Sequence, residues 1–405
     1  MSAIVTPSPN NLSLSATPSS LSPSPSPSSA PSRSHSPYPP SHPLELANQV
    51  GGHSGVQTSE DGSLVFKPAL PLEHKFYASV LQSEDGEKLG LGDLRRWVPR
   101  FYGTLRLEGV QDERGNIEEV EGKEKKETLV LENLTTPFRK PNILDIKLGT
   151  VLYDDDASEE KKARMSKTAR DTTSFETGVR LTGFQVYDNT TSKPVKTSKS
   201  YGKSIKPSDL PSGIARFFPV PSSSPSPSPF TSTPASHPSD PTFLLPTLPQ
   251  VSSTSTHNQG LPAHLLLPIL EAMLLDVEMI REIAGCIEMR MIASSFLFIY
   301  EADIEKAREG VKWMEEHPSG LESDDDDDED DEDEEEEDED EKAKERPGPP
   351  YIVKLIDFAH TKLTPGQGPD KGLLKGMDTV IELLEGRIEE VKKLVEEDKT
   401  KEAAS

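Results

Sequence analysis

Pro141-Asn142-Ile143-Leu144-Asp145-Ile146-Lys147-Leu148-Gly149 sets a carboxylate and an ammonium two residues apart in an otherwise apolar run. Residues two apart in a strand point to one face, so Asp145 and Lys147 share a side. Ile143 and Ile146 flank the pair and place it beside a core, and Gly149 ends the run. Charged side chains at the edge of a core are rare unless they are paired or used. Strands with one exposed face carry Asp-x-Lys pairs routinely, so the pair alone decides nothing. The full spacing Pro-x-x-x-Asp-x-Lys-x-Gly is a stronger signal, and the rest of the chain tests it.

At 405 residues the chain has room for two or three average domains, but its composition removes part of that length. Residues 1–45 are mostly Ser and Pro, as in Ser22-Pro23-Ser24-Pro25-Ser26-Pro27, and a second such stretch covers 219–259. Neither offers enough apolar surface to offset the entropy of ordering, so both read as disordered. Asp324 to Glu341 is unbroken Asp and Glu, within an insert spanning 318–348. Roughly 300 residues are left for one two-lobed globular unit. The acidic run supplies eighteen of the twenty-six excess negative charges, so the folded part is only mildly acidic and has room for a basic pocket.

Cys286 is the one cysteine, which rules out an intrachain disulfide and suits a reducing compartment. The N-terminus lacks a basic stretch followed by an apolar one, so no secretory signal is read there. Leu261 to Ile283 is too rich in Pro, Asp, Glu and Arg to span a bilayer. One cysteine gives no zinc constellation, no Gly-x-Ser-x-Gly elbow is present, and basic patches with interleaved aromatics are missing. Direct binding to nucleic acid is therefore not expected.

The first globular part, 46–136, reads as a small sheet with one or two helices. Its expected strands are Ser63–Lys67, Phe101–Leu107 and Thr128–Glu132, with a helix over Leu72–Gln82 that puts Phe76, Val80 and Leu81 on one side. Gln111–Glu127 reads as an exposed hairpin or loop. The larger part, 137–395, opens with the strand at Pro141. A charged helix over Ser158–Arg170 and a strand over Gly178–Val186 follow. Leu261–Arg290 then reads as one long helix or a pair, Ser295–Glu301 and Tyr351–Ile356 as strands, and Leu373 to Ile388 as a closing helix.

In Ile352-Val353-Lys354-Leu355-Ile356-Asp357-Phe358-Ala359-His360, an Asp follows a buried strand. Such an Asp either caps a turn or faces a cleft, where a carboxylate can hold Mg2+ against phosphate oxygens. Ser294-Ser295-Phe296-Leu297-Phe298-Ile299-Tyr300-Glu301 is a core strand from Phe296 to Ile299, with Ser295 its one site candidate. Lys161, Arg164 and Lys167 recur every three residues, so a helix stacks them on one side. The stripe suits a highly phosphorylated ligand, or is a solvated face with Glu159 and Glu160 as partners. Gly51-Gly52-His53-Ser54-Gly55 matches neither a Walker loop nor a full Gly-x-Gly-x-x-Gly.

Taken together and in this order, the segments resemble the inositol polyphosphate kinase family. Pro-x-x-x-Asp-x-Lys-x-Gly is similar to its first signature and Ile356-Asp357-Phe358-Ala359-His360 to its second. The Ser295 block resembles its Ser-Leu-Leu segment, with Phe296 in place of the first Leu. Leu129-Val130-Leu131-Glu132-Asn133-Leu134-Thr135 resembles the link between lobes that presents backbone groups to adenine. Lys67 matches a lysine that contacts ATP phosphates, and Lys203 in Tyr201-Gly202-Lys203-Ser204 matches a further block. The wording at Pro141 and the acidic insert before Asp357 resemble the fungal multikinase branch, whereas Asp156-Ala157-Ser158-Glu159-Glu160-Lys161 resembles hexakisphosphate kinases.

The resemblance implies an α+β fold of two lobes, related to protein kinases and ATP-grasp enzymes, with ATP between the lobes. It implies transfer of the γ-phosphoryl group of Mg-ATP to a hydroxyl of an inositol tris- or tetrakisphosphate. Asp145 would orient the hydroxyl, the ribose or both, and Lys147 would neutralise the transferring group and touch substrate. Asp357 would hold Mg2+ with Ser295 nearby, and Lys67, Glu132 and Leu134 would bind ATP. Lys161, Arg164, Lys167, Lys203 and His360 would bind the inositol phosphate. A monomer in nucleus and cytoplasm is expected, its acidic tract able to hold basic nuclear proteins; a non-catalytic, transcription-regulating protein acting through that tract is the competing reading.

Overall fold

A computed structural model of the chain describes residues 2–7, 44–45, 55–80, 90–111, 117–119, 127–221, 259–318 and 348–403. Fourteen strands lie among these residues. The first seven are β1 (Ser2–Pro7), β2 (Leu44–Glu45), β3 (Gln57–Thr58), β4 (Leu64–Pro68), β5 (Phe101–Gln111), β6 (Ile117–Glu119) and β7 (Glu127–Glu132). The rest are β8 (Pro141–Leu148), β9 (Val179–Asp188), β10 (Lys193–Thr197), β11 (Met289–Ile292), β12 (Ser295–Glu301), β13 (Tyr351–Ile356) and β14 (His360–Leu363). The α-helices are α1 (Pro71–Lys75), α2 (Glu159–Asp171), α3 (Ser174–Thr177), α4 (Lys199–Ser204), α5 (Leu210–Phe217), α6 (Ala263–Cys286), α7 (Ile304–Glu316) and α8 (Lys371–Ala403).

Two antiparallel sheets form the two lobes. The first runs β1-β5-β7-β4-β3-β2 with β6 beside β5, and the second runs β10-β9-β8-β12-β13. β11 and β14 make a separate two-stranded ribbon. The chain crosses from the first sheet to the second over residues 133–140. Buried Glu301 fixes the end of that crossing by accepting the backbone N–H groups of Arg139 and Lys140 at 2.7 and 2.9 Å. Asn133 fixes its start, donating from Nδ2 to the Gly62 carbonyl at 2.6 Å.

The two-residue period of β8 sorts its side chains. Leu144, Ile146 and Leu148 enter the main core with Leu181, Phe184, Phe296, Phe298, Val353 and Leu355 of the neighbouring strands. α6 and α8 pack against each other and contribute Leu266, Ile269, Met273, Met377, Val380 and Leu384 to the same core. The opposite face of β8 carries Ile143, Asp145 and Lys147. Ile143 there joins a smaller cluster with Leu134 and Ile299, so apolar contact seals the crossing side of the charged pair.

Gly149 ends β8 with φ +99°, a left-handed turn that glycine tolerates best. Its N–H donates to the Gly178 carbonyl at 2.8 Å. Gly376 of α8 lies against this turn so closely that a Cβ there would stand 2.4 Å from the Gly178 oxygen. The closing helix therefore seats directly on the backbone that ends the signature strand.

Several expectations shift. The helix read over 72–82 is α1 followed by a π-helical turn at Phe76–Val80, and Leu81 and Gln82 lie outside the described residues. The wider turn brings adjacent Phe76 and Tyr77 both into the core, which an α-helical period would not. The helix read over 261–290 is the single α6, and Arg290 belongs instead to β11. In the tail read as disordered, Ser2–Pro7 pairs with β5 and Leu44–Glu45 with β3; the rest of 1–45 lies outside the described residues. Ala3, Ile4 and Val5 supply the apolar and β-branched residues a strand favours. At the ends of the 219–259 insert, Gly260 packs on the Pro219 carbonyl and Gln259 bridges to Asp188, so the second sheet closes the insert's base.

Gly376→Ala tests the seating of α8. Alanine favours a helix by about 1 kcal/mol over glycine, but overpacking against backbone costs roughly 1–3 kcal/mol. Packing should win, and thermal unfolding should show a lower Tm; an unchanged or raised Tm contradicts the close approach.

Candidate active site

Two left-handed residues aim the site. Asp357 follows β13 with φ +66° and Ala293 precedes Ser294 and β12 with φ +63°, conformations uncommon for residues with a Cβ. The turn at Asp357 lets Phe358 drop into the core, where its ring stacks on Phe76 at 4.1 Å and meets Tyr77 edge-on at 5.5 Å. Asp357 is thus anchored from the first lobe through the residue that follows it.

Its carboxylate collects the charges of both lobes. Lys67 of β4 reaches Oδ1 at 2.9 Å, and Lys147 of β8 pairs with Oδ2. Lys147 also donates to the Ala293 carbonyl at 3.1 Å. Burial acts to raise the Asp357 pKa, but the two lysines outweigh it and hold the carboxyl well below the usual range. For Lys67, burial acts to lower the pKa, and Asp357 and Glu73 together raise it.

Glu73 of α1 was not read from the sequence as a site residue. It is 1% exposed, accepts from Lys67 at 2.7 Å and takes the Phe358 N–H at 3.3 Å. One carboxylate therefore ties the first-lobe lysine to the backbone beside Asp357. A lone Glu in a short helix gives no signal for this, because its partner lies 285 residues away.

Asp145 behaves oppositely. It is 2% exposed, and burial raises its pKa; Lys147 opposes that, Asp357 adds to it, and Ser295 and Lys199 oppose it. Its Oδ1 has no hydrogen-bond partner, nor has the buried Ser295 hydroxyl. Ser295 thus faces Asp145 without a well-formed hydrogen bond. Ser295 stands directly opposite Lys147 across β12 and β8, so all three side chains share one face.

The substrate-side residues are brought together less tightly. His360 of β14 sits with Nδ1 2.5 Å from Asp154, leaving Nε2 as a hydrogen-bond donor only in the imidazolium form. α2 forms as expected, capped by Ser158, and Glu159 pairs with Lys162 rather than with the stripe. Lys161 is half-buried and Arg164 exposed, while Lys167 pairs with Asp171 at 2.5 Å. Among the described residues, no ion pair or hydrogen bond links these three to the Asp357 cluster. Lys203 is exposed on α4, one turn from Lys199, and it is Lys199 whose charge reaches Asp145. The Leu134 side chain is buried in the smaller cluster and the Glu132 carboxylate accepts the Arg100 N–H at 3.2 Å. Any contact with a ligand there falls to the main chain. Of the loop read at 51–55, only Gly55 is described.

Fold and site together have the make-up of a phosphotransferase: two lobes, lysines from each, and a carboxylate between them. The sequence model described as inositol polyphosphate kinase matches residues 128–230 and 261–385. The inositol polyphosphate multikinase of Saccharomyces cerevisiae is 32% identical over 84% of this chain and 96% of its own length. Inositol hexakisphosphate kinase 3 of Mus musculus is 27% identical over 63% of this chain and 50% of its own. A crystal structure of the S. cerevisiae inositol phosphate multikinase with ADP and Mn2+ aligns with 80% of this chain and 98% of its own, at 26% identity and TM-score 0.49. The chain belongs to the inositol polyphosphate kinase family.

The two aspartates should affect stability with opposite signs. The depressed Asp357 contributes stability that is present above the ordinary carboxylate range and is lost as pH falls through its folded value. The raised Asp145 costs stability wherever it is ionised, a cost that disappears as pH falls below its unfolded value. At pH 7, Asp357→Asn should lower the urea midpoint and Asp145→Asn should hold or raise it, and both differences should shrink towards pH 3. A loss of stability in Asp145→Asn at pH 7 contradicts the assignment.

Proposed function

We propose that the chain transfers the γ-phosphoryl group of Mg-ATP to hydroxyls of inositol tris- and tetrakisphosphates. The observation that carries this is Asp145, buried with one oxygen unpartnered, on the same sheet face as the Lys147–Asp357–Lys67 cluster. An unpaired buried carboxylate is costly in a resting protein and useful where a hydroxyl must be held and deprotonated.

In this reading the substrate hydroxyl donates to Asp145 Oδ1. As its oxygen bonds to the γ-phosphorus and the bond to ADP breaks, its proton passes to Asp145. The raised pKa of Asp145 favours that acceptance. Lys147 sits between Asp145 and Asp357, where it neutralises charge on the transferring group. Lys67, held by Glu73, meets the ATP phosphates from the first lobe, and the main chain at Glu132 and Leu134 meets the base.

Mg2+ suits the donor set. It is commonly held by one or two carboxylates, with phosphates and waters completing its shell. Asp357 is such a carboxylate, and the unpartnered Ser295 hydroxyl is a neutral oxygen beside it. When bound, Mg2+ would supply charge neutralisation for the phosphate oxygens. Lys67 and Lys147, which pair with Asp357, would be the cations nearest the phosphate oxygens.

His360 and the α2 stripe of Lys161, Arg164 and Lys167, with Lys203, are assigned to the substrate's outer phosphates. The yeast multikinase matches more of the chain, at higher identity, than the mouse hexakisphosphate kinase, which supports the multikinase reading over pyrophosphate synthesis. The acidic run Asp324–Glu341 lies outside the described residues. We assign it to contact with basic nuclear proteins, with the protein in both nucleus and cytoplasm.

Purified protein incubated with Mg-ATP and inositol phosphates from tris to hexakis, with products resolved by position, tests the activity. Turnover should concentrate on tris- and tetrakisphosphates, and Asp145→Asn or Lys147→Ala should each remove most of it. Turnover on hexakisphosphate alone favours the other branch, and none on any substrate revives the non-catalytic reading. Deleting Asp324–Glu341 should spare catalysis and weaken salt-sensitive binding to basic proteins.

A further inference from the structure

The row of the sheet that holds Ser295 and Lys147 continues to one more cation. Arg180 of β9 stands opposite Lys147 across β8 and β9, as Ser295 does across β12 and β8. Directly opposed residues of antiparallel strands share a face with Cβ atoms about 5 Å apart. Ser295, Lys147 and Arg180 therefore cross three strands in line, on the face that carries Asp145. The residue of β9 opposite Asp145 is Gly183, which puts no side chain beside the carboxylate.

Arg180 is half-buried and makes no hydrogen bond or ion pair with a described residue. Burial lowers its pKa and Asp145 raises it, so the two groups sense each other. No hydrogen bond or ion pair joins them, and Asp145 Oδ1 has no partner. α4 packs on β9 and brings Lys199, whose charge also reaches Asp145. Asp357 lies beyond Lys147 on the β13 side. Two cations thus flank Asp145 on the side away from Asp357, and a half-buried guanidinium without a partner is suited to bidentate recognition of phosphate.

The geometry points to Arg180, assisted by Lys199, as the site for the substrate phosphate next to the hydroxyl that meets Asp145. This rests on the phosphotransfer reading and deepens it: the α2 stripe and His360 would hold outer phosphates, and Arg180 sets which hydroxyl is presented. The alternative is that Arg180 only offsets the charge of Asp145. The two differ in what its loss does to substrate affinity and product position.

The test uses the full chain as wild type, Arg180→Gln and Arg180→Lys. Kinetics are measured with Mg-ATP and inositol 1,4,5-trisphosphate, and calorimetry measures binding of the same trisphosphate without ATP. Losing one charge-assisted phosphate contact weakens affinity roughly ten- to hundredfold. Arg180→Gln should raise KM for the trisphosphate and weaken calorimetric binding by that factor, leave KM for ATP unchanged, and alter the ratio of product isomers. Arg180→Lys should recover part of the affinity, because it keeps the charge without the fork. Unchanged trisphosphate binding and product ratio in Arg180→Gln overturn the inference, as does a fall in kcat and Tm alone. If the wild type binds the trisphosphate but does not turn it over, the phosphotransfer reading fails, and calorimetry on the variants still decides Arg180.

Discussion

The structure depends on one carboxylate held by two lysines from different lobes. Asp357 is half-buried and ionised, which would be costly were it not paired on both oxygens. The pairing needs β4 to bring Lys67, β8 to bring Lys147, and the left-handed turn at 357 to bring the carboxylate between them. Glu73 and the stacked Phe76–Phe358 pair then lock the first lobe onto that turn. Lobe closure and placement of the site are therefore one arrangement. The same triad is compatible with a resting enzyme, because a metal and phosphates can take over each of its charge pairs.

Where chemistry followed a local period, the sequence was readable. The alternation of β8 put Asp145 and Lys147 on one face, and β12 and β13 were legible as apolar runs ending at chemistry-bearing residues. The helix over 158–170 was legible too, from its Ser cap and charge spacing. What could not be read depends on distant register. Glu73 meets Phe358 across 285 residues, and Arg180 meets Lys147 only because β9 returns beside β8 in one particular alignment. α4 and α5 are short, and tertiary packing decides them. The π-helical turn at Phe76 replaced the expected α-helix because two adjacent aromatics both had to reach Phe358.

An antiparallel sheet suits this task for a physical reason. Neighbouring strands lie about 4.8 Å apart, so opposed residues on one face form a ruler that loops cannot match for rigidity. Here the ruler runs from the turn at Asp357 through Ser295 and Lys147 to Arg180, and Asp145 sits beside it. Its first end is held by the first lobe and faces the nucleotide side in the proposed reading. Its other end is free of that lobe and borders α4, which hangs on β9.

Changes at the Asp357 end disturb lobe closure and charge balance together, because Lys67 and Lys147 share one partner. Changes at the Arg180 end alter only the surroundings of Asp145, without touching the pairing that holds the lobes. In the proposed reading, position choice on the ring is therefore separable from phosphoryl transfer. Asp145, the carboxylate of Pro141–Gly149, stands where the two ends meet, which is why it is both the most buried charge of its strand and one left with an unpaired oxygen.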